Sequence, residues 1–447
     1  MPHAQARKLH LPTWATTLFV AVVVYLGVWY AGKQGWLSAY WYQVVEIAAF
    51  TAISALGLNL IYGFNGQFSL GHIGFYAIGA YASALVTKDY LVSWSGSQAG
   101  GLSWIIAGLI GVLIVLFLTR LLRVGALNKR IVANLSIDLK KHEARTLAAL
   151  VTLLMVAVVL AAGAACAWVL QRGLSIVLSA LMAAISQAVA RHVVLTIALL
   201  AGASVAALVA YLIGLPLLRL GSDYFGIATL GFAVMVYTAL QSSDLVIPTM
   251  KGARGMVGIP TWTTWGWAFG TLCVVVIIMR NLLYSSHGRA VISVREDEVA
   301  ARMMGIDIAQ SKAVAFAFGG FFAGLAGGLY AHLFGFLHPS TFNVVKGFDP
   351  LIIIVLGGLG SMTGTILASV MFALLIEGLR VLLPQGFEDW RFVVYPIFLL
   401  LIMLLRKQGL LGRTEWGWMR ASMPAERDIP VPELPALNSA AGEHKEA

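Results

Sequence analysis

Long apolar runs recur along most of this chain, and they constrain its fold more than any other feature. A helix that crosses a bilayer needs about 20 apolar residues, because unpaired backbone groups are costly in hydrocarbon. Since 60% of the 447 residues are hydrophobic and 11% are charged, a soluble core cannot bury them all. The sequence therefore predicts an all-α, polytopic membrane protein of about 10–12 transmembrane helices with broken or re-entrant segments. The runs lie at residues 14–31, 42–63, 66–86, 104–122, 147–170, 174–190, 193–215, 224–241, 262–283, 311–334, 348–360, 362–383 and 391–405.

Clusters of lysine and arginine predict which helix ends face the cytoplasm, since basic loops remain on that side of a membrane. Such clusters occur before the first run, at residues 120–145, around residues 284–312 and after residue 405. We expect all four regions to be cytoplasmic. The net charge of +10 is explained in this way, so no nucleic acid partner is required.

Three stretches rich in glycine and small polar residues interrupt the apolar runs. They are residues 57–81, residues 216–231 with 251–260, and residues 357–364. Non-helical backbone at membrane depth is tolerated where it is buried in protein or lines a cavity. Broken helices of this kind can bind a small polar solute, which favours a translocation pathway. Close helix packing through small residues is the alternative interpretation.

Residues 284–305, YSSHGRAVISVREDEVAARMMG, form the densest mixed-charge segment of the chain. Ser293 and Glu296 have the spacing of a capping box, which predicts the start of a short helix. Gly305 can adopt the left-handed conformation that ends such a helix, with Ile306 following in a Schellman motif. The segment is therefore predicted to be a short capped helix between membrane spans.

The same short helix is predicted to be amphipathic. Glu298 precedes Arg302 by four residues, an order that favours an ion pair on one face. Val299, Met303 and Ile306 form a narrow apolar stripe. Two interpretations remain open at this point, a docking element for another protein and a solvated loop between spans.

Motifs of catalysis are absent from the sequence. The richest glycine stretch, GGLGSMTGT, lacks the lysine of a phosphate-binding loop, so the chain should not hydrolyse ATP. We also find no nucleophile elbow, no catalytic dyad and no cluster of His, Cys and carboxylates with metal spacing. The sequence predicts no enzyme activity, no cofactor and no metal site.

Acidic residues within apolar runs leave a second class of function open. Glu377 and Asp349 could titrate in an ion-coupled secondary transporter that works alone, although Arg380 is placed to pair with Glu377. A third hypothesis is a non-transporting scaffold that recruits partners through the basic loop at residues 120–145.

Several stretches together resemble the permease subunits of branched-chain amino acid ABC importers, of the LivM type. They occur in the order of the family and cover about residues 44–90 and 193–407. Permeases for urea and short amides look very similar, so an importer of those solutes is the alternative. The stretches are GLNLIYGFNGQFSLGHIGFYAIGAY, LPLLRLGSDYFGIATLGF, GARGMVGIP, GRAVISVREDEVAARMMGID and IIVLGGLGSMTGTILA.

The resemblance implies a multi-pass subunit of the bacterial inner membrane. Its expected partners are a homologous second permease subunit, two ATP-binding cassette ATPase subunits and a periplasmic solute-binding protein. The coupling segment of such permeases reads E-A-A, three residues, then G; here EVAARMMG has Val299 at the first alanine position. The expected ATPase-coupling residues are Arg295, Glu296, Asp297, Glu298, Ala300, Ala301, Arg302 and Gly305. The candidate pathway-lining residues are Asn59, Gln67, Ser69, Thr229 and Ser361.

The sequence departs from the family's usual pattern at residues 95–190, where extra apolar runs flank a basic loop. This insert could add a docking surface, a basic patch that binds lipid, or peripheral helices. The expected organisation is membrane segments at 1–94, the insert at 95–190, membrane segments at 191–283, a coupling loop at 284–312, membrane segments at 313–407 and a mostly disordered cytoplasmic tail at 408–447.

Overall fold

A computed structural model of the chain describes residues 13–88, 187–218 and 222–382, with isolated positions between 165 and 173 and between 397 and 419. Nearly all of this part is helical, which confirms the predicted all-α class. Its helices are α1 (Thr13–Lys33), α2 (Ala39–Leu58), α3 (His72–Lys88), α4 (Gln187–Leu217), α5 (Ser222–Gln241), α6 (Trp265–Tyr284), α7 (Ser286–Glu296), α8 (Glu298–Met303), α9 (Ile308–Phe334), α10 (Val344–Gly357) and α11 (Met362–Leu382).

Seven of these helices are long and apolar enough to cross a membrane, so the prediction of a polytopic membrane protein is confirmed. Helices α3 and α10 have 17 and 14 residues and are shorter than a full span. The insert and the run at 391–405 lie largely outside the described residues, so the count of 10–12 spans stays a prediction. The seven spans are Thr16–Lys33, Ala39–Phe64, Arg191–Leu217, Tyr224–Gln241, Trp265–Tyr284, Ile308–Phe334 and Met362–Val381.

Helix α9 lies at the centre of the fold and packs against α2, α3 and α4. Glycines allow these helices to approach closely. A Cβ atom on Gly327 would overlap the backbone oxygen of Tyr76, and one on Gly79 would overlap the backbone of Gly324. Inside a membrane, where lipid tails are as apolar as leucine, such close backbone packing is a main source of helix association.

The helices break at the stretches that the sequence predicts. Helix α2 continues into a six-residue π-helical turn, Asn59–Phe64, and the chain is then non-helical until α3 begins at His72. Helix α10 ends at Gly357, and α11 begins five residues later after a tight turn. Between α5 and α6 the chain forms three short 3₁₀ turns, Ser243–Leu245, Pro248–Met250 and Gly252–Arg254.

Two short strands pair at the C-terminal end of α9. Strand β1 (Met256–Val257) pairs antiparallel with β2 (Phe336–Leu337), and Met256 lies opposite Leu337. Strand β2 follows the last residue of α9, whereas α7 and α8 precede its first residue. Because a helix of 27 residues is roughly 40 Å long, the strands and the mixed-charge segment lie at opposite ends of the membrane domain.

Candidate functional site

The mixed-charge segment folds as two helices, α7 and α8, rather than the one short helix predicted. Asp297 has an extended backbone (φ −159°, ψ 112°) that ends α7 and starts α8. Its carboxylate accepts hydrogen bonds from the backbone N–H groups of Val299 (2.8 Å) and Ala300 (3.0 Å). The predicted capping box is wrong, because Ser293 lies inside α7 and its hydroxyl donates to the carbonyl of Ala290.

The end of α8 agrees with the sequence prediction. Gly305 has a positive φ of 82°. Its N–H donates to the carbonyl of Arg302 (3.0 Å), and the N–H of Ile306 donates to the carbonyl of Ala301 (3.1 Å). These two bonds define a Schellman motif, so the predicted glycine cap is confirmed.

Helix α8 has an inner face that packs on the protein. Ala301 is buried and lies in a small cluster with Val294, Ile308 and Ile306. Ile306 is half-buried in this cluster, while the other residues of the predicted apolar stripe, Val299 and Met303, are exposed. An ion pair between Glu298 and Lys312 (2.5 Å) also joins α8 to α9. This pair replaces the predicted one between Glu298 and Arg302, because the loop after α8 brings the start of α9 back beside it.

The outer face of α8 is apolar and exposed. Val299, Met303 and Met304 are 73%, 84% and 82% exposed, and we call these three residues the docking face. Charged Glu296, Asp297 and Arg302 surround it and are exposed as well. Beside it, a cavity of about 250 Å³ lies between α7 and the start of α9. The cavity is lined by Ser286, His287, Ala290, Val291, Ile306, Asp307, Gln310, Ser311 and Val314.

Two of the predicted pathway residues, Asn59 and Ser361, meet each other. The side-chain amide of Asn59 donates to the carbonyl of Ser361 (2.9 Å) and to the hydroxyl of Thr365 (2.9 Å). Its oxygen accepts from the N–H of Gly360 (3.0 Å). The Asn59 side chain is fully buried, and its amide nitrogen and oxygen are both hydrogen-bonded. This network therefore joins the π-helical turn to the turn between α10 and α11. We call it the asparagine bridge.

Arg295, the last residue but one of α7, reaches the same place. Its guanidinium donates a hydrogen bond to the carbonyl of Gly63 in the π-helical turn. The aliphatic part of the side chain passes over Gly66, and Nη1 lies beside Gly360. The mixed-charge segment and two of the broken stretches, separate in the sequence, are therefore in direct contact.

The other predicted pathway residues lie further along the first broken stretch. Thr229 is buried, and its hydroxyl accepts from the N–H of Leu70 (3.1 Å) and donates to its own helix. Among the described residues, buried polar atoms of Asn65, Gln67 and Ser69 have no hydrogen-bond partner within the protein. An unpaired buried polar group is costly, so this stretch has hydrogen-bonding capacity left for water or a polar solute. The sequence prediction missed Asn65, although its place in GFNGQFSL was a signal.

The acidic residues considered for ion coupling have partners. Glu377 accepts a hydrogen bond from the hydroxyl of Tyr40 (2.5 Å) and lies 3.6 Å from the guanidinium of Arg380. Asp349 lies 3.4 Å from the ammonium of Lys346. Each carboxylate is thus part of a local ion pair, as expected for Glu377 from the spacing of Arg380.

The chain that follows the last apolar run folds back onto the turn between α10 and α11. The N–H of Leu410 donates to the carbonyl of Leu356 (2.8 Å). The carboxylate of Glu415 accepts from the N–H groups of Met362 (2.5 Å) and Thr363 (3.2 Å) and so caps α11. Burial raises the pKa of Glu415, while these bonds act in the opposite direction. Sequence reasoning missed this cap, because its partner lies more than 50 residues away.

The chain is similar to known permease proteins of the LivM and LivH types. The chain is 32% identical over 244 residues to the high-affinity branched-chain amino acid transport system permease protein LivM of Salmonella typhimurium, covering 47% of this chain and 56% of that protein. It is 27% identical over 203 residues to the permease protein LivH of Escherichia coli K12, covering 42% of this chain and 64% of that protein. The chain thus spans a little over half the length of the LivM proteins it matches. No solved structure matches the chain significantly.

A family profile covers far more of the chain than these relatives do. The profile described as branched-chain amino acid transport system / permease component matches residues 42–136 and 142–405. The match includes the broken stretches, α7 and α8, and it runs through most of residues 95–190, which the motifs alone left as an insert. This chain therefore belongs to the family of branched-chain amino acid transport system permease components.

Proposed function

We propose that this chain is the transmembrane permease subunit of an ABC importer in the bacterial inner membrane. It translocates branched-chain or related amino acids, and separate subunits hydrolyse the ATP. Family membership and the names of the LivM and LivH relatives support this class of solute. The proposed partners are a homologous second permease subunit, two ATP-binding cassette ATPases and a periplasmic solute-binding protein.

The exposed docking face carries the proposal. Val299 and Met303 of α8, together with Met304 just after it, project from a segment whose charged residues are exposed, at one end of the membrane domain. Three large apolar side chains surrounded by charges are typical of the centre of a protein interface with its polar rim. Methionine suits such a contact, because its flexible thioether adapts to the partner's surface. The occupant we propose is the ATPase subunit.

The way in which α8 is held explains how docking can drive transport. Asp297 fixes its first turn, the Schellman motif fixes its last, and the Glu298–Lys312 ion pair joins it to the central helix α9. A short helix fixed at both ends moves as a rigid body. When ATP closes the ATPase dimer, displacement of α8 therefore shifts the population between inward-open and outward-open arrangements of the spans.

A charge on the docking face tests the proposal. In the complex with its ATPase, Met303→Asp should reduce co-purification of the ATPase by about tenfold or more, since it places a charge at an apolar interface centre. The matched control is Leu245→Asp, because Leu245 is 85% exposed and lies on a loop at the other end of the fold. Unchanged ATPase binding in Met303→Asp would contradict the proposal, as would equal loss in the control.

The solute is tested separately in the reconstituted complex. Leucine should compete with uptake of radiolabelled isoleucine, while urea and short amides should not. Competition by urea or acetamide alone would assign the chain to the urea and short-amide importers instead. Uptake by the lone chain, driven by a proton gradient without ATPase, would indicate a secondary transporter.

A further inference from the structure

The contact of Arg295 with the membrane domain differs from the other contacts of the mixed-charge segment. The two charged residues of α8, Glu298 and Arg302, are exposed, whereas the Arg295 side chain is directed inward from the end of α7. Its guanidinium donates to the carbonyl of Gly63 and lies beside Gly360. One side chain thus touches the π-helical turn and the turn between α10 and α11.

The position of Gly63 at the end of a helix and the lack of a side chain at Gly63 and Gly360 favour this contact with Arg295. The last carbonyls of a helix have no partner within the helix, and a cation there is stabilised by the helix dipole. A Cβ atom at Gly63 would overlap Oδ1 of Asn59, and one at Gly360 would lie 3.0 Å from Nη1 of Arg295. A side chain at Gly63 would therefore displace the asparagine bridge, and one at Gly360 would crowd the arginine.

The asparagine bridge makes the two turns move together. Asn59 bonds Gly360, Ser361 and Thr365, so the π-helical turn and the start of α11 are joined in the same place that Arg295 reaches. The unpaired polar atoms of Asn65, Gln67 and Ser69 lie in the stretch that follows this turn. A displacement of Arg295 is therefore applied directly to the backbone that leads into the polar stretch.

We propose that Arg295 is the positioning residue that transmits movement of the docked helices α7 and α8 to the two broken stretches of the membrane domain. The inference rests on the proposed function, since it requires an ATPase on the docking face. It adds a second route beside the Glu298–Lys312 pair, which acts on α9. The arginine route acts on the polar stretch itself, where the solute would pass.

The test separates docking from transmission in the complete, reconstituted importer. Arg295→Ala, Arg295→Gln and Arg295→Lys are compared for ATPase co-purification, ATP hydrolysis, unfolding temperature and solute uptake. We expect bound ATPase to stay within about twofold of the wild type, and uptake per ATP hydrolysed to fall about tenfold or more in the Ala and Gln variants, the usual effect of losing a charged hydrogen bond. Lysine should restore part of the uptake, since it keeps the charge but lacks the planar fork.

The matched control is Arg289→Ala. Arg289 lies on the same helix and its guanidinium also donates to a backbone carbonyl, that of Tyr284 (2.8 Å), but this carbonyl lies just before α7 and not in a broken stretch. The control should keep the wild-type ratio of uptake to ATP hydrolysis. If Arg295→Ala unfolds at a lower temperature than the wild type, the ratio of uptake to ATP hydrolysis in Arg295→Lys decides whether the inference stands.

Each result has one meaning. Normal uptake per ATP in the Arg295 variants overturns the inference and leaves the proposed function intact. Loss of bound ATPase in these variants also overturns it, because Arg295 would then belong to the docking surface. A wild-type complex that binds no ATPase overturns the proposed function, and the inference with it.

Discussion

Replacing Asn59 should destabilise the protein even when the size of the side chain is kept. An aspartate has nearly the same volume as the native asparagine, but Asn59→Asp removes both N–H donors of the asparagine bridge. It places an oxygen against the carbonyl of Ser361 and the hydroxyl of Thr365, each 2.9 Å from the native nitrogen. The bond accepted from the N–H of Gly360 is the only one of the three that remains.

The magnitude follows from the number of bonds and from burial. A side-chain hydrogen bond within a membrane domain contributes about 0.6 kcal/mol on average, and about 1 kcal/mol in a soluble core. Three bonds to a fully buried residue therefore contribute about 2–3 kcal/mol in Asn59→Ala, to which a small cavity adds. Asn59→Asp keeps one bond but buries a charge when ionised, and when protonated its single O–H can replace only one of the two lost donors, so it should also destabilise the protein.

The assay is thermal unfolding of the purified protein in detergent, at one scan rate for all variants because such unfolding is often irreversible. Thr238→Val is the control, since its hydroxyl is exposed and bonds only the preceding turn of its own helix. The control should stay within about 0.5 kcal/mol of the wild type. If Asn59→Asp unfolds at the wild-type temperature while Asn59→Ala unfolds lower, the loss of stability in Asn59→Ala comes from the cavity it creates. The hydrogen-bond argument is then refuted.

Three further predictions have defined outcomes. Gly305→Ala should lower stability by about 1 kcal/mol, because φ is 82° with open space around the residue, and Gly305→Val should lower it more; equal unfolding temperatures would argue against the left-handed cap. Gly327→Ala should reduce the yield of folded protein by separating α3 from α9, while Gly27→Ala, which has nothing within 4 Å, should not. Because the pKa of Glu415 is raised in the folded protein, this residue contributes a stabilisation that is complete below pH 4.5, its ordinary pKa. The stabilisation is lost as the pH rises through the pKa of Glu415 in the folded protein. The unfolding temperature of the wild type relative to Glu415→Gln should therefore fall as the pH rises between these two pKa values. A rise would show that folding lowers the pKa of Glu415 instead.

The sequence predicted local features well where their causes are local. The cap at Gly305 depends on one residue's conformational freedom, and the structure confirms it. The start of α8 was predicted wrongly, since the sequence indicated a cap at Ser293 and the structure has Asp297 as the cap. Packing decided it, because Val291 and Val294 are buried, so α7 extends past Ser293 until the backbone turns at Asp297.

The candidate site was predictable as a set of residues but not as an arrangement. Asn59 and Ser361 were both predicted to line a pathway, because polar residues at membrane depth indicate one. The structure bonds the Asn59 side chain to the backbone carbonyl of Ser361, whereas buried polar atoms of Asn65, Gln67 and Ser69 have no partner among the described residues. The rotation of a helix about its axis, which decides between these roles, is set by neighbours from distant parts of the chain.

The sequence by itself determined that this is an all-α membrane protein, where its helices break, and that it lacks a phosphate-binding loop of its own. These conclusions follow from hydropathy, glycine content and motif spacing, which are local properties. Only the tertiary structure decided that Arg295 and Asn59 reach the same pair of turns. Asn59 and Ser361 are 302 residues apart in the chain, and a hydrogen bond between such residues depends on how the helices pack.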